Sequence, residues 1–198
     1  MARREEYRCH ECTQWNCRTP LLQRTERFAF RPLSSIPLGL TTTATTMTLE
    51  YRVALPDDVA ECLDVRGRTR ENAISAEGLR ARGITLQSWA EDIRQGALPG
   101  HVCLADGKII GFCFGVRASG EVAVLALLPA FENQGIGRSL LNRVVQELRT
   151  LGFNRLFLGC SPGSSTRSYG FYRHLGWRST GTFDAAGDEI LEYFIEEP

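Results

Sequence analysis

Two glycines ahead of a helical pattern, Gly135 and Gly137, are the first residues whose types and spacing could do chemistry. They follow an apolar stretch and a turn-like segment from Pro129, and a long amphipathic pattern begins directly after them. Glycine lets the backbone approach a ligand closely, and the unpaired N–H groups and dipole of a helix N-terminus favour a phosphate. The spacing matches neither the dinucleotide pattern G-x-G-x-x-G nor the P-loop pattern G-x-x-x-x-G-K-[ST]. The residues therefore indicate an anion cradle, with an ordinary tight turn as the alternative.

An aromatic segment downstream, Phe171-Tyr172-Arg173-His174-Leu175-Gly176-Trp177, is the second candidate. A tyrosine beside a phenylalanine on a helix is typical of core packing, because aromatic rings are large hydrophobic groups with a polar tip. Catalysis by Tyr172 is the alternative. The two segments occur in one chain in a fixed order, which favours considering them together.

The remaining reactive side chains favour structural interpretations. Cys9-His10-Glu11-Cys12 with Cys17 is half of a zinc knuckle and lacks a second ligand pair, so we expect no metal. Cys160 has no Cys/His/Asp set around it and is expected to be a buried thiol rather than a nucleophile. His101 and His174 stand singly and are expected to be surface or hydrogen-bonded histidines.

The elements that must position these residues follow from hydrophobic periodicity. A helix that starts at Gly135 and ends at Gly152 fits the glycine signals at both ends. Turn signals at Asp106-Gly107 and Ala118-Ser119-Gly120, between apolar segments, predict an antiparallel meander in the middle of the chain. Strands are expected over 49–53, 102–105, 108–116, 122–128, 156–158, 179–183 and 190–195, and helices over 59–65, 85–94, 136–151 and 166–175. The order β-α-α-β-β-β-α-β-α-β-β predicts an α/β (α+β) domain with a mixed, mostly antiparallel central sheet flanked by helices.

Composition narrows the function classes. The 198 residues include 23 basic and 23 acidic side chains, so no net charge points to nucleic acid or an anionic membrane as a partner. No stretch has the roughly 18 apolar residues of a membrane span.

The first part of the chain differs from the rest. Residues 1–46 lack sustained periodicity and a secretory leader. They are expected to be a disordered or loosely packed extension, or to precede a true start at Met47. The domain is then expected over 47–198, in a reducing cytoplasm.

The order of elements and two motifs resemble the GNAT superfamily of acetyl-CoA-dependent N-acetyltransferases, and bacterial members in particular. The family's cofactor motif [QR]-x-x-G-x-[GA] matches Glu132-Asn133-Gln134-Gly135-Ile136-Gly137, with Glu at the first position. The later motif N-x-x-A-x-x-[FL]-Y-x-x-x-G-[FW] matches Ser165, Ser168, Phe171, Tyr172, Gly176 and Trp177, with Ser at the Asn and Ala positions. The resemblance covers about Leu49 to Phe194.

The resemblance implies how acetyl-CoA binds as the cosubstrate. The fourth and fifth strands would splay apart around the pantetheine, and the backbone N–H of Leu127 would contact the thioester carbonyl. Ser165 would replace the Asn that contacts pantetheine. The pyrophosphate would lie on the loop and helix start formed by Glu132, Asn133, Gln134, Gly135, Ile136, Gly137 and Arg138.

The resemblance also implies the catalytic groups. Tyr172 would protonate the departing CoA thiolate, and Glu121, sixteen residues before Gly137, would be the general base that deprotonates the amine. An ordinary solvated turn is the alternative for Glu121. The segment 66–72, with Arg80, Arg82 and Trp89, lies where the family commonly forms its acceptor pocket, although a solvated face would look the same.

Two functions from different classes remain. The first is transfer of an acetyl group from acetyl-CoA to a primary amine of a small molecule or protein, by direct attack in a ternary complex. The second is a catalytically silent acyl-CoA-binding or sensor module, which Glu132 and Ser165 keep open. The expected partners are acetyl-CoA and an amine acceptor, with no nucleic acid, membrane or metal, and the resemblance leaves a homodimer open.

Overall fold

A computed structural model describes residues 48–195. The expected extension over residues 1–46, with Cys9, Cys12 and Cys17, lies outside the described residues. Along the described chain the elements are β1 (Leu49–Val53), α1 (Val59–Gly67), α2 (Ala76–Arg80), α3 (Leu86–Arg94), β2 (Gly100–Ala105), β3 (Lys108–Val116), β4 (Glu121–Leu127), α4 (Ile136–Thr150), β5 (Arg155–Cys160), α5 (Arg167–His174), β6 (Arg178–Phe183) and β7 (Glu189–Phe194).

The short helix α2 was not predicted from the sequence. Ser75 caps it by accepting a hydrogen bond from the backbone N–H of Gly78. Its five residues form little more than one turn, which is too short for a helical period to show in the sequence.

The strands form one seven-stranded sheet in the order β1-β2-β3-β4-β5-β7-β6. All neighbouring pairs are antiparallel except β4 and β5, which are parallel. The chain between β4 and β5 contains α4, as a parallel crossover requires. The expected mixed, mostly antiparallel sheet flanked by helices is therefore confirmed.

Each face of the sheet has its own hydrophobic core. On one face lie α1 and α3. Trp89 of α3 is buried there, and its ring makes edge contacts with Phe112 and Phe114 of β3. On the other face, α4 buries a helical stripe of apolar side chains, namely Ile136, Leu140, Leu141, Val144, Val145 and Leu148. This stripe fixes the orientation of α4 on the sheet, and with it the direction of its N-terminus. Among residues 48–195, no helix has the length and apolar character needed to cross a lipid bilayer.

Candidate active site

The strands β4 and β5 diverge almost from their first residues. Their pairing has a single register partner, Glu121 opposite Phe157. The gap beyond that point forms part of a pocket of about 710 Å³, lined on one side by Leu125 and Leu127 of β4 and on the other by Cys160 and the following Ser161. The splayed strands expected from the resemblance are confirmed, and the volume is typical of a small-molecule site.

The N-terminus of α4 lies at this pocket. Gly135 is its N-cap in a left-handed conformation with φ of 77°, and no side chain caps the helix there. Asn133 also has positive φ, at 63°. Because the first N–H groups of a helix lack intrahelical partners and carry the positive end of its dipole, this loop can bind an anion. The cradle residues that line the pocket are Glu132, Asn133, Gly135, Ile136, Gly137 and Arg138.

The two cradle glycines leave space on the pocket side. An added Cβ at Gly137 would lie 3.7 Å from Phe171 and 3.9 Å from Leu125, which is ordinary van der Waals contact. At Gly135 it would meet nothing within 4 Å. Packing within the described chain therefore does not require glycine at Gly137, whereas the positive φ does at Gly135. The open space at Gly135 fits a bound pyrophosphate.

The carboxylate of Glu132 is held between two arginines. It accepts a hydrogen bond from Arg70 Nε at 3.0 Å and a short one from Arg167 Nη1. Arg167 Nη2 also donates to Asn133 Oδ1 at 2.9 Å. The three charged side chains carry one net positive charge, so Glu132 does not make the cradle anionic.

A second carboxylate ties the α1–α2 segment to α5. Glu71 accepts the backbone N–H of Arg167 at 3.0 Å, where α5 begins. A carboxylate at a helix N-terminus is stabilised by the dipole. Glu71 and Arg70 therefore place segment 68–72 against the cradle and α5, on the mouth of the pocket.

Backbone N–H groups of β4 point into the gap. Leu128 donates its N–H to Ile110 of β3. Since backbone groups alternate between the two edges of a strand, the N–H groups of Leu125 and Leu127 point to the β5 side. In the region where β5 has moved away, these N–H groups are available to a ligand. The structure thus adds Leu125 to the donor expected at Leu127.

Tyr172 lies on α5 with its half-buried side chain in the pocket lining. Its ring makes edge contacts with Phe171 and Trp177, at centroid distances of 5.0 and 6.1 Å. Burial raises the pKa of the phenol, Cys113 and Cys160 add to this, and the Arg66 cation acts in the opposite direction. Tyr172 therefore packs against neighbouring aromatic rings, as core packing predicts, and also lines the pocket.

Arg66 forms part of the pocket wall at the last turn of α1 and is 5% exposed. Burial lowers the pKa of its guanidinium to about 10; the Tyr172 hydroxyl opposes this, and the Arg82 cation adds to it. A cation near Tyr172 stabilises the deprotonated phenol.

Three of the expected site residues do not line the pocket. Glu121 is 7% exposed at the paired end of β4, opposite Val116 and Phe157. The Gln134 amide points back to the carbonyl of Ala130 at 3.4 Å. Ser165 is exposed, and Ser161 and Ser168 occupy the lining instead.

Of the other candidate residues, some line the pocket and some lie elsewhere. Cys160 lines the pocket, and burial raises the pKa of its thiol, as expected of a structural cysteine. His174 also lines the pocket, whereas His101 pairs with Glu147 at 3.0 Å elsewhere.

The segment expected on the acceptor side lies only partly at the pocket. Arg66 and segment 69–72 line the pocket, but Trp89 is a core residue and neither Arg80 nor Arg82 is in the lining. Within residues 48–195, no three His, Cys, Asp or Glu side chains are grouped as a metal would need.

Sequence relatives carry acetyltransferase names. An uncharacterized N-acetyltransferase from Chlorobaculum tepidum is 30% identical over 105 residues, which are 52% of this chain and 64% of that protein. An IAA acetyltransferase from Azospirillum brasilense is 34% identical over 79 residues, covering 40% of this chain and 51% of the relative. The chain therefore spans between about half and two thirds of the lengths of these relatives.

A solved structure shares the fold. The PaiA N-acetyltransferase from Thermoplasma acidophilum, crystallised in complex with coenzyme A, superimposes with a TM-score of 0.64 at 20% identity, over 75% of this chain and 100% of that one. The model of the acetyltransferase (GNAT) family matches residues 66–177, which run from the buried arginine of α1 to the tryptophan behind Tyr172. With more than half of its length matched, this chain belongs to the GNAT acetyltransferase family.

Proposed function

We propose that this protein transfers the acetyl group of acetyl-CoA to a primary amine of a small molecule or protein, by direct attack in a ternary complex. The observation that carries the proposal is the gap between β4 and β5, which has an anion cradle at one side and Tyr172 in the lining of the same pocket. The coenzyme A in the Thermoplasma acidophilum structure supports the cofactor class.

The cofactor would be held mainly by backbone groups. The pyrophosphate would lie on the N-terminus of α4 at Gly135, Ile136 and Gly137, next to the arginines that hold Glu132. The pantetheine would lie along β4, where Leu125 and Leu127 offer N–H groups to its carbonyl oxygens and to the thioester. A donor aimed at the thioester oxygen stabilises the negative charge that develops there as the amine attacks.

In the transfer step, the amine nitrogen forms a bond to the thioester carbonyl carbon and the carbon–sulfur bond breaks. The sulfur leaves with the bonding electron pair and takes a proton from Tyr172, and the proton that the acylated nitrogen loses returns the phenolate to the phenol. The products are the N-acetylated acceptor and CoA. A phenol is a weaker acid than a thiol, with ordinary pKa values of about 10 and 8.5, so the nearby Arg66 cation helps by stabilising the phenolate that this proton transfer leaves.

Glu121 is the base of this proposal and would act through water. It is six residues from Leu127, about 20 Å along an extended strand, so its carboxylate does not reach an amine at the thioester directly. Glu121 does not line the pocket, so water would have to carry the ammonium proton from the pocket to its buried carboxylate. Replacement of Glu121 by Gln would then move the acidic limb of the kcat/KM profile.

The test is acetyl-CoA-dependent thiol release by the full chain, for the wild type and Tyr172→Phe. Primary amines of several classes serve as acceptors. We expect the variant to lose about 10²- to 10⁴-fold in kcat, the usual size of an acid–base contribution. The Kd for acetyl-CoA should change little, because the phenylalanine keeps the ring packing.

A control separates the enzyme from a silent binding module. Tyr169→Phe changes the other tyrosine of α5, which stacks with Arg173 and does not line the pocket. It should leave both kcat and Kd unchanged. Equal kcat for Tyr172→Phe and wild type would contradict the proposed acid, and acetyl-CoA binding without turnover of any amine would favour the binding module.

A further inference from the structure

One segment joins the expected acceptor side of the pocket to the cofactor cradle. Segment 68–72 follows α1, and its residues 69–72 line the pocket. The Thr69 hydroxyl lies within hydrogen-bond distance of the carbonyl oxygens of Arg66 and Glu71, at 3.3 and 3.0 Å. These local contacts give the segment its shape. Its position over the pocket therefore depends on the contacts that it makes across the mouth.

Among residues 48–195, two side chains of this segment form hydrogen bonds across the mouth, and both end on the cofactor side. Arg70 Nε donates to the Glu132 carboxylate at 3.0 Å, and Glu71 accepts the backbone N–H of Arg167 at 3.0 Å. The Arg167 guanidinium donates to the same oxygen of Glu132. Charged groups therefore link segment 68–72 to the loop on which the pyrophosphate is proposed to lie.

The link between Arg70 and Glu132 is weak by itself. The side chain of Arg70 is 56% exposed, so solvent screens its ion pair with Glu132. A guanidinium has five N–H donors, and Nε supplies one of them to Glu132, so Arg70 can donate to a phosphate as well. A pyrophosphate on the cradle would place a second anion beside a guanidinium that already points to this loop.

We propose that Arg70 is a positioning residue through which the bound cofactor fixes segment 68–72 in the wall of the acceptor site. This inference rests on the proposed acetyl transfer and its cofactor site. With the cradle occupied, Arg70 is held by Glu132 and by a phosphate oxygen, and hydrogen bonds between charged groups are the strong ones. The acceptor then meets a completed wall only after acetyl-CoA has bound, so the cofactor binds first.

Amide hydrogen exchange of the full chain, measured by NMR, tests this coupling without an acceptor. The reporter is the Ile74 amide, because its hydrogen bond to the Arg66 carbonyl, at 3.3 Å, closes the base of the segment. The probe is CoA at about 100 times the Kd of each protein, so that occupancy is equal. In the wild type, CoA should slow this exchange at least about tenfold, the scale of one charge-assisted hydrogen bond.

The ratio of the exchange rates without and with CoA separates coupling from simple support. A contact that only supports the segment changes both rates by the same factor and leaves their ratio unchanged. Arg70→Gln should lower the ratio to about threefold or less, because a shorter, uncharged side chain cannot bridge two anions. The unfolding temperature of each variant without ligand shows that it is folded.

Two control variants match Arg70→Gln in charge. Arg167→Gln removes the same charge from the cradle but keeps the hydrogen bond between Arg70 and Glu132, so it should retain the wild-type ratio at equal occupancy. Arg68→Gln changes another arginine of the same segment. Arg68 pairs with Asp64 of α1 at 2.7 Å and does not line the pocket, so its ratio should also equal that of the wild type.

Steady-state kinetics give a second readout. With each primary amine that releases thiol from acetyl-CoA, Arg70→Gln should raise the acceptor KM about five- to tenfold at saturating acetyl-CoA. The value of kcat should change little, because the wall of the acceptor site is loosened and the reacting groups are not. Arg68→Gln should alter neither constant. A fall in kcat with an unchanged acceptor KM would contradict the positioning role.

Three results of the exchange experiment would overturn the coupling. CoA could leave the exchange of Ile74 unchanged in the wild type, Arg70→Gln could keep the full effect of CoA, or Arg167→Gln could lose as much of it as Arg70→Gln. In each case CoA still raises the unfolding temperature, and the proposed transferase stands. Absence of that rise in the wild type would instead remove the proposed function and the inference with it.

Discussion

Replacement of Arg167 by Gln should weaken CoA binding through the charge of the cradle. In the wild type, Arg70, Arg167 and Glu132 carry one net positive charge at the loop before α4. Arg167→Gln makes that charge zero. Glu132→Gln raises it to two, and the double variant returns it to one.

The size of the expected change in the Kd for CoA follows from the solvent exposure of these side chains. The side chains of Arg70 and Arg167 are 56% and 45% exposed, so their ion pairs with Glu132 are solvent-screened and contribute about 1 kcal/mol or less each to stability. Because these groups are exposed, the effective dielectric is near the value of water, about 80, and one unit of charge about 5–8 Å from a pyrophosphate dianion then changes the binding free energy by about 1–2 kcal/mol. Arg167→Gln should therefore raise the Kd for CoA about 5- to 30-fold.

The assay is calorimetric titration of CoA into the four proteins at two salt concentrations. If charge governs the cradle, affinity falls in the order Glu132→Gln, then wild type and double variant together, then Arg167→Gln. The differences should shrink at high salt. A double variant that binds as weakly as Arg167→Gln would refute the reasoning, because it would show that the geometry of Arg167 matters rather than the charge.

Three further predictions concern single residues. Because burial raises the pKa of Tyr172, kcat should show no basic limb below about pH 10 in a pH–rate profile; a limb near pH 9 would contradict this. Burial raises the pKa of Asp58, but its hydrogen bonds from Arg52 and from a backbone N–H lower it overall. Asp58→Asn should therefore lose about 1–3 kcal/mol of stability in urea unfolding at pH 7, a difference that disappears as pH falls below about 4; an equal loss at pH 3 would refute it. Gly100→Ala places a Cβ 2.1 Å from the Phe114 ring and should cost about 1–3 kcal/mol or more, whereas unchanged stability would show that the core yields there.

The fold was largely predictable because its elements have clear local patterns. The apolar stripe of α4 shows a helical period, and β2, β3 and β4 are short, nearly continuous apolar runs bounded by turn signals. Errors at the boundaries are one or two residues. The helix α2 was missed because one turn with a serine cap has no period to detect.

The site was predictable where it is local in sequence. The glycines at the start of α4 and the tyrosine of α5 lie in short motifs, and the structure brings both segments to one pocket. The partners of Glu132 could not be read, because Arg70 is 62 residues away and Arg167 is 35 residues away. No periodicity reports such long-range pairs, so the charge of the cradle became apparent only in three dimensions.

Side-chain direction was the other missing information. Trp89 falls in the segment assigned to the acceptor side, but the helix turns its ring into the core between Phe112 and Phe114. Ser165 matches a motif position, yet it lies in the loop before α5 and points to solvent. Spacing along a chain places a residue near a site without stating which way its side chain faces.

The central claim, that the gap between β4 and β5 is an acetyl-CoA site, is tested most directly by thermal unfolding of the full chain with and without ligand. Acetyl-CoA at 100 times its Kd should stabilise the protein by about 2.7 kcal/mol. For a domain of this size that is a rise of about 5–10 °C. We predict this rise with acetyl-CoA and CoA and little with ATP; a folded protein whose unfolding temperature is the same with all three would contradict the account.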